Sequence, residues 1–148
     1  MIGVRGAMAG DEPDVRRLAA AARSAIAEAK GGAQLLADLD PIDEVVEGLD
    51  GVLVGTVGGA VVGYGVTRVT GARGVLSELF VEGPARGVGV GAAILGEAQR
   101  RLTAAGCTGI DSQALPGDRA TKNFFEAHGM VTRLLVTHRR LPVADASG

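Results

Sequence analysis

Three alternate glycines, Gly87, Gly89 and Gly91, separate a strand-like run, Val75 to Val81, from an apolar helical pattern. Because glycine has no Cβ, such a loop can turn its backbone N–H groups inward and admit a bulky anion at hydrogen-bond distance. The helix that follows adds unpaired amides and the positive end of its dipole at the same point. The segment therefore predicts a pyrophosphate site, to which Arg86 adds a full charge.

We call this segment the glycine loop; its residues are Arg86, Gly87, Val88, Gly89, Val90, Gly91 and Ala92. A Walker loop is excluded, because the chain contains no Gly-Lys-Ser/Thr. A dinucleotide-binding fold fits the pattern, since the glycines satisfy Gly-x-Gly-x-x-Gly/Ala and Asp111 follows the next apolar run. That fingerprint belongs in the first strand-helix unit of its domain, whereas several elements precede it here. A nicotinamide-dependent oxidoreductase is therefore the less favoured alternative.

Two blocks of the chain resemble motifs of the GNAT N-acetyltransferase superfamily. The run from Leu79 to Leu95 resembles its acetyl-CoA motif, Gln/Arg-x-x-Gly-x-Gly/Ala after a strand, and contains the Arg and Gly residues of that motif in the defining positions. The run from Asn123 to Met130 resembles a later helix that usually ends Tyr-Glu-x-x-Gly-Phe, with Phe125 and Met130 in place of the Tyr and the Phe. The order and separation of the blocks also match.

The resemblance implies an acetyl-CoA-dependent enzyme that transfers an acetyl group to a primary amine of a small molecule or peptide by direct attack. It implies that backbone groups of Leu79, Phe80 and Val81 hold the pantetheine arm like an added strand. A main-chain N–H near Phe80 is the implied donor to the oxyanion. The implied fold is a mixed, mostly antiparallel sheet, split into a V and flanked by helices.

Glu78 is the candidate catalytic base, because it resembles the acid that many family members carry on this strand. Gln113 occupies the position where members that acetylate protein N-termini often place an acid, and an amide cannot act as a base. Phe125 lacks the hydroxyl of the family's usual acid, and the only tyrosine, Tyr64, lies in an earlier strand. A non-catalytic acyl-CoA-binding module is therefore a second alternative.

The pattern of the chain independently predicts an α+β fold in one domain, residues 1–148, with a loose tail over 142–148. Strands are expected over 2–5, 51–57, 60–69, 75–81 and 108–115, with a further strand or pair over 131–141. Helices are expected over 11–30, 42–46, from the glycine loop to 105, and from the N-cap Asp118 to 128. Gly31-Gly32 is expected to end the first helix.

Composition excludes several classes of partner. The formal charge is −2 and aromatic residues make up 3% of the chain with no Trp, which argues against nucleic acid. The apolar run 52–66 contains glycines and is too short for a bilayer, so no membrane is expected. A single cysteine, Cys107, and the lack of an apolar leader favour the cytoplasm. His128 and His138 form no metal-ligand spacing, and no metal is predicted.

The chain identifies the acceptor amine only weakly. Acidic residues gather in the stretch to which the resemblance assigns acceptor recognition: Asp38, Asp40, Asp43, Glu44, Glu47 and Asp50. Such a run attracts an amine, but it is also typical of a solvated helix face. Exposed edge strands and a glycine-rich hairpin leave a homodimer open.

Overall fold

In the computed structural model, which describes residues 1–144, five strands form one sheet in the order β1-β2-β3-β4-β5. They are β1 (Ile2–Gly6), β2 (Val52–Val57), β3 (Ala60–Thr70), β4 (Arg73–Val81) and β5 (Gly109–Asp111). The helices are α1 (Glu12–Glu28), α2 (Gly32–Asp38), α3 (Ile42–Glu47), α4 (Val90–Ala104) and α5 (Arg119–Ala127). Neighbouring strands from β1 to β4 are antiparallel, whereas β5 runs parallel to β4. The predicted α+β class with a mixed, mostly antiparallel sheet is confirmed.

Helices cover both faces of the sheet. The apolar stripe of α1 packs with α3 on one face, where Val15, Leu18 and Tyr64 are fully buried. On the other face, α4 and α5 pack around Leu76 and Ile94. No helix within residues 1–144 is both long and apolar enough to cross a membrane. The two cores place the start of α4 against the end of β4.

Glycines in the strands allow α4 to lie close to the sheet. A Cβ added at Gly55 would lie 2.5 Å from Val90 Cγ1, and one added at Gly65 would lie 2.7 Å from Ile94 Cγ2. Both distances are shorter than carbon atoms tolerate, so only glycine fits at these positions. The glycines that interrupt the apolar run 52–66 therefore serve helix packing, and they fix the height of α4 above the strands.

The structure departs from the sequence prediction around α2 and β5. Gly31 adopts φ +78° and is the N-cap of α2, a helix that the sequence pattern does not predict. The strand expected over 108–115 is confined to Gly109–Asp111. Beyond it, Ser112 and Gln113 reach the carbonyls of β4 through their side chains. The two strands diverge at this point, so the backbone pairing of β5 with β4 ends at Asp111.

The strand predicted over 131–141 is wrong. Residues 131–144 have no regular secondary structure, and Val131, Leu134, Leu135 and Val136 are 63% to 84% exposed. A segment forms a strand only where a neighbouring strand shares its backbone hydrogen bonds, and the short β5 offers little ladder. The predicted loose tail is irregular over 142–144, and its remainder lies outside the described residues.

We expect Gly55→Ala to lower the free energy of unfolding by about 1–3 kcal/mol, because the new methyl group overlaps the stiff, β-branched Val90. Gly96→Ala is the matched control on α4, since a Cβ there meets no atom within 4 Å. That control should gain roughly 0.5–1 kcal/mol from helix propensity. Urea denaturation of both variants measures the difference. A Gly55→Ala protein as stable as the wild type would contradict the close-packing argument.

Candidate functional site

The glycine loop has the backbone geometry of an anion site. Gly87 and Gly89 adopt φ +82° and +100°, which side chains with a Cβ rarely tolerate. Gly89 is the N-cap of α4, and the first backbone donor of that helix is Ala93, whose N–H bonds to the Gly89 carbonyl at 3.0 Å. The amides of residues 87–92 donate to no backbone group within residues 1–144. These amides can therefore donate to an anion at the positive end of the helix.

Arg86 folds back over the end of β4. Its Nε donates to the carbonyl oxygen of Val81 at 2.8 Å, and its guanidinium carbon lies 5.4 Å from the centroid of the Phe80 ring. The two terminal nitrogens of the guanidinium make no hydrogen bond to residues 1–144. The two terminal nitrogens of Arg86 are therefore available as donors at the loop. Their contact with a phosphate stays a prediction.

The sheet splits between β4 and β5. Only Arg73–Val75 of β4 pairs with β5, and the last contact across the gap is the 3.5 Å hydrogen bond from Gln113 Nε2 to the Ser77 carbonyl. From Glu78 to Val81 the outer edge of β4 has no neighbouring strand among residues 1–144. The predicted V-shaped split is confirmed. We call this gap the β4–β5 slot.

Backbone groups of Leu79 and Val81 face the β4–β5 slot. The Glu82 amide donates to a β3 carbonyl at 2.9 Å, and the Phe80 carbonyl also points to β3, 3.0 Å from the Cβ position of Gly63. Alternation along an antiparallel strand then turns the intervening residues to the opposite edge. Leu79 and Val81 can therefore pair with an extended ligand, whereas Phe80 contributes its ring beneath Arg86.

A β-bulge at Ser77 directs the side chains of β4. Val66 pairs with Glu78 while the next residue, Thr67, pairs with Leu76, so Ser77 is the extra residue. In a regular strand residues 76 and 78 would share one face. The bulge instead leaves Leu76 in the core beneath α4 and turns Glu78 toward α1. The candidate base, Glu78, thus lies on the opposite face of the sheet from α4.

Glu78 is a buried carboxylate with strong donors, 9% exposed. Its Oε1 accepts from the Tyr64 hydroxyl at 2.7 Å and from Arg23 Nη1 at 2.8 Å, and its Oε2 lies 3.4 Å from Arg23 Nη2. Burial, followed by the charge of Glu78, raises the pKa of Tyr64 above its ordinary value. Tyr64 is therefore a neutral donor that stabilises the ionised carboxylate.

The sequence analysis does not predict Arg23. A signal is nevertheless present, because Arg23 continues the i, i+4 register of the buried residues Val15 and Ala19 on α1. A charged residue in an apolar stripe indicates a buried partner. The identity of that partner, Glu78, requires the tertiary fold.

The structure brings no tyrosine hydroxyl to the β4–β5 slot. Tyr64 is fully buried on the α1 face and donates to Glu78. Phe125 is 8% exposed and packs in the core beneath α4. Its neighbour Phe124 lies against the glycine loop, with ring atoms 3.5 Å from the Cβ position of Gly91. The second sequence block therefore supports the loop by packing.

Asp111 does not have the surroundings of a ribose ligand. Arg133 donates to it at 2.8 Å through Nε, and this hydrogen bond holds the pKa of Asp111 below its ordinary value. Arg73 lies 3.6 Å away on the next strand. The largely antiparallel sheet also differs from the parallel, doubly wound sheet of a dinucleotide fold. The topology therefore excludes the dinucleotide-binding fold on which the oxidoreductase alternative depends.

Residues 16–130 match the model of the acetyltransferase (GNAT) family. No protein with a curated description matches the chain in sequence. Among solved structures, an aminoglycoside N-acetyltransferase in complex with CoA is 18% identical with a TM-score of 0.71, over 95% of each chain. Ard1 from Thermoplasma volcanium is 20% identical with a TM-score of 0.69, over 90% of this chain and 84% of its own.

A third similar structure is N-acetylglutamate synthase from Neisseria gonorrhoeae, complexed with coenzyme A and N-acetyl-glutamate. It is 15% identical with a TM-score of 0.66, over 86% of this chain and 28% of its own. At these identities the structural likeness shows a shared fold, and the family match carries the assignment.

Gly89→Asp should abolish the binding of CoA, because a Cβ at φ +100° strains the loop and the carboxylate repels pyrophosphate. A ligand at 100 times its Kd adds about 2.7 kcal/mol to stability, so the wild type should show a clear rise in Tm. Gly96→Asp adds the same charge to α4 in open space and should keep the rise. An equal ligand-induced rise in Gly89→Asp would show that the anion binds elsewhere.

Proposed function

Since the chain belongs to the acetyltransferase (GNAT) family, we propose that it is an N-acyltransferase that transfers an acetyl group from acetyl-CoA to a primary amine. One observation carries the proposal: the free edge of β4 is followed, after a short turn over Gly83–Ala85, by the unpaired amides of the glycine loop. The loop would hold the pyrophosphate, and the slot-facing groups of Leu79 and Val81 would pair with the pantetheine arm.

The reaction forms one bond and breaks one. The lone pair of a neutral amine attacks the thioester carbonyl, the N–C bond forms, and the C–S bond breaks with release of CoA as its thiolate. The amine loses a proton in this exchange, and the thiolate gains one from water or from the ammonium group. A backbone N–H of Leu79 or Val81 is the best placed oxyanion donor, since both residues face the β4–β5 slot.

Glu78 is the proposed base because of its place along β4. An arm that starts at the glycine loop passes Val81 and Leu79 in turn, at about 3.3 Å per residue, and its thioester end then reaches the bulge. Glu78 lies there, with its side chain on the α1 side. Its Oε2 has one donor, at 3.4 Å, and so retains capacity to accept a proton directly or through water.

No side-chain acid is assigned to the thiolate. Phe125 has no hydroxyl, and the hydroxyl of Tyr64 is bonded to Glu78. Correct positioning of two reactants alone supplies about 7–11 kcal/mol of barrier reduction. The proposed enzyme therefore relies on alignment in the slot and on proton removal by Glu78.

The proposed acceptor is a small-molecule or peptide amine with cationic character. Aminoglycosides, which give one of the similar proteins its name, are amines of this class. Two of the acidic residues noted in the sequence are engaged by arginines, Asp40 by Arg68 and Asp43 by Arg16. The others are exposed and are available to attract a cation: Asp38, Glu44, Glu47 and Asp50.

A non-catalytic acyl-CoA-binding module is the second candidate, favoured by the absence of a hydroxyl at position 125. Both candidates bind CoA, and they differ in turnover. Release of free thiol from acetyl-CoA in the presence of a panel of amines, with acetylated product identified by mass spectrometry, separates them.

Glu78→Gln should lower turnover by roughly 100-fold at neutral pH, the usual effect of losing a general base. The loss should shrink at high pH, because more of the acceptor is then already neutral. Glu126→Gln is the control, since this carboxylate forms only an exposed ion pair with Lys122. Unchanged turnover in Glu78→Gln would remove Glu78 as the base. CoA binding without turnover in the wild type on any amine would favour the binding module.

A further inference from the structure

Arg23 differs from the other paired arginines in its burial. Its side chain is 16% exposed, whereas the arginines of the remaining ion pairs within residues 1–144 are at least 40% exposed. Burying a guanidinium is costly unless its donors are satisfied. The groups that accept hydrogen bonds from Arg23 therefore indicate its role.

The guanidinium of Arg23 fixes the orientation of Glu78. Nη1 donates to Oε1 at 2.8 Å and Nη2 lies 3.4 Å from Oε2, so each terminal nitrogen of the guanidinium faces one oxygen of the carboxylate. Tyr64 donates to the same Oε1 at 2.7 Å. Two short bonds on one oxygen hold the carboxylate and leave Oε2 as the oxygen that can accept a proton.

Arg23 also holds the segment next to the acidic residues. Its Nη2 donates to the carbonyl of Asp40 at 2.7 Å, in the connection between α2 and α3. The carboxylate of Asp40 is paired in turn with Arg68 on β3. One guanidinium thus joins this connection, on the side proposed to receive the acceptor, to the bulged part of β4.

We propose that Arg23 is a positioning residue for proton removal, which orients Oε2 of Glu78 toward the acceptor amine and links that orientation to the α2–α3 connection. The inference rests on the proposed acetyl transfer. Arg23 lies on the α1 face, away from the edge of β4 that faces the slot. Its loss should therefore lower kcat and leave the Kd for acetyl-CoA unchanged.

The test compares Arg23→Ala, Arg23→Lys, Glu78→Gln and the double variant Arg23→Ala/Glu78→Gln in steady-state assays, with calorimetric Kd values for acetyl-CoA. We expect kcat of Arg23→Ala to fall by about 10-fold to 100-fold, as for a misplaced reacting group. Free guanidinium ions should restore part of that loss in Arg23→Ala and none in the double variant. Arg23→Lys keeps the charge and should retain intermediate turnover, which covers a poorly folding Arg23→Ala.

Arg100→Ala is the control, because Arg100 on α4 forms an exposed ion pair with Glu97 and contacts neither Glu78 nor the acidic residues of α2 and α3. It should keep kcat within about twofold, as expected for exposed pairs. Wild-type turnover in Arg23→Ala would overturn the inference. So would an Arg23→Ala loss that is the same size in the Glu78→Gln background and is not rescued. A wild type that acetylates no amine would instead contradict the proposed function on which the inference depends.

Discussion

The extra residue in β4, Ser77, is the constraint on which the arrangement of the site depends. It changes the face of the sheet to which the β4 side chains point. Leu76 therefore fills the core beneath α4, while Glu78 lies under α1. It also lies where β4 diverges from the segment that follows β5, since the hydrogen bond from Gln113 reaches the Ser77 carbonyl. A bulge bends its strand and re-aims a side chain. Here it places the buried carboxylate of Glu78 at the end of the β4–β5 slot where the two strands come together.

The other half of the site depends on how closely α4 approaches the sheet. Glycines at positions 55 and 65 leave room for Val90 and Ile94, so the helix lies directly on the strands. The first turn of that helix is also the end of the glycine loop, which means that sheet packing sets the height of the loop amides. Stability and anion binding therefore share one contact surface, and a methyl group added to a strand would disturb both.

Local features were predictable from the sequence, and tertiary ones were not. The glycine loop and the N-cap Asp118 depend on residue chemistry within a few positions, and Asp118 does accept from the Thr121 amide at 3.1 Å. The short α2 escaped prediction because Gly31-Gly32, which the sequence predicts as a helix stop, begins a second helix with the left-handed Gly31 as its N-cap. The Arg23–Glu78 pair joins positions far apart in the chain. The run from Val131 to Leu141 predicted a strand, but strand formation requires a partner, and the run does not specify one.

Residue-resolved amide hydrogen exchange by NMR, with and without acetyl-CoA, tests the central claim most directly. If the pantetheine arm pairs with β4, acetyl-CoA should slow exchange at Leu79 and Val81 and across residues 87–92. The amide of Phe80, which already faces β3, should not change. Protection confined to other parts of the chain, or none at ligand concentrations well above Kd, would contradict the assignment of the β4–β5 slot and the glycine loop as the acetyl-CoA site.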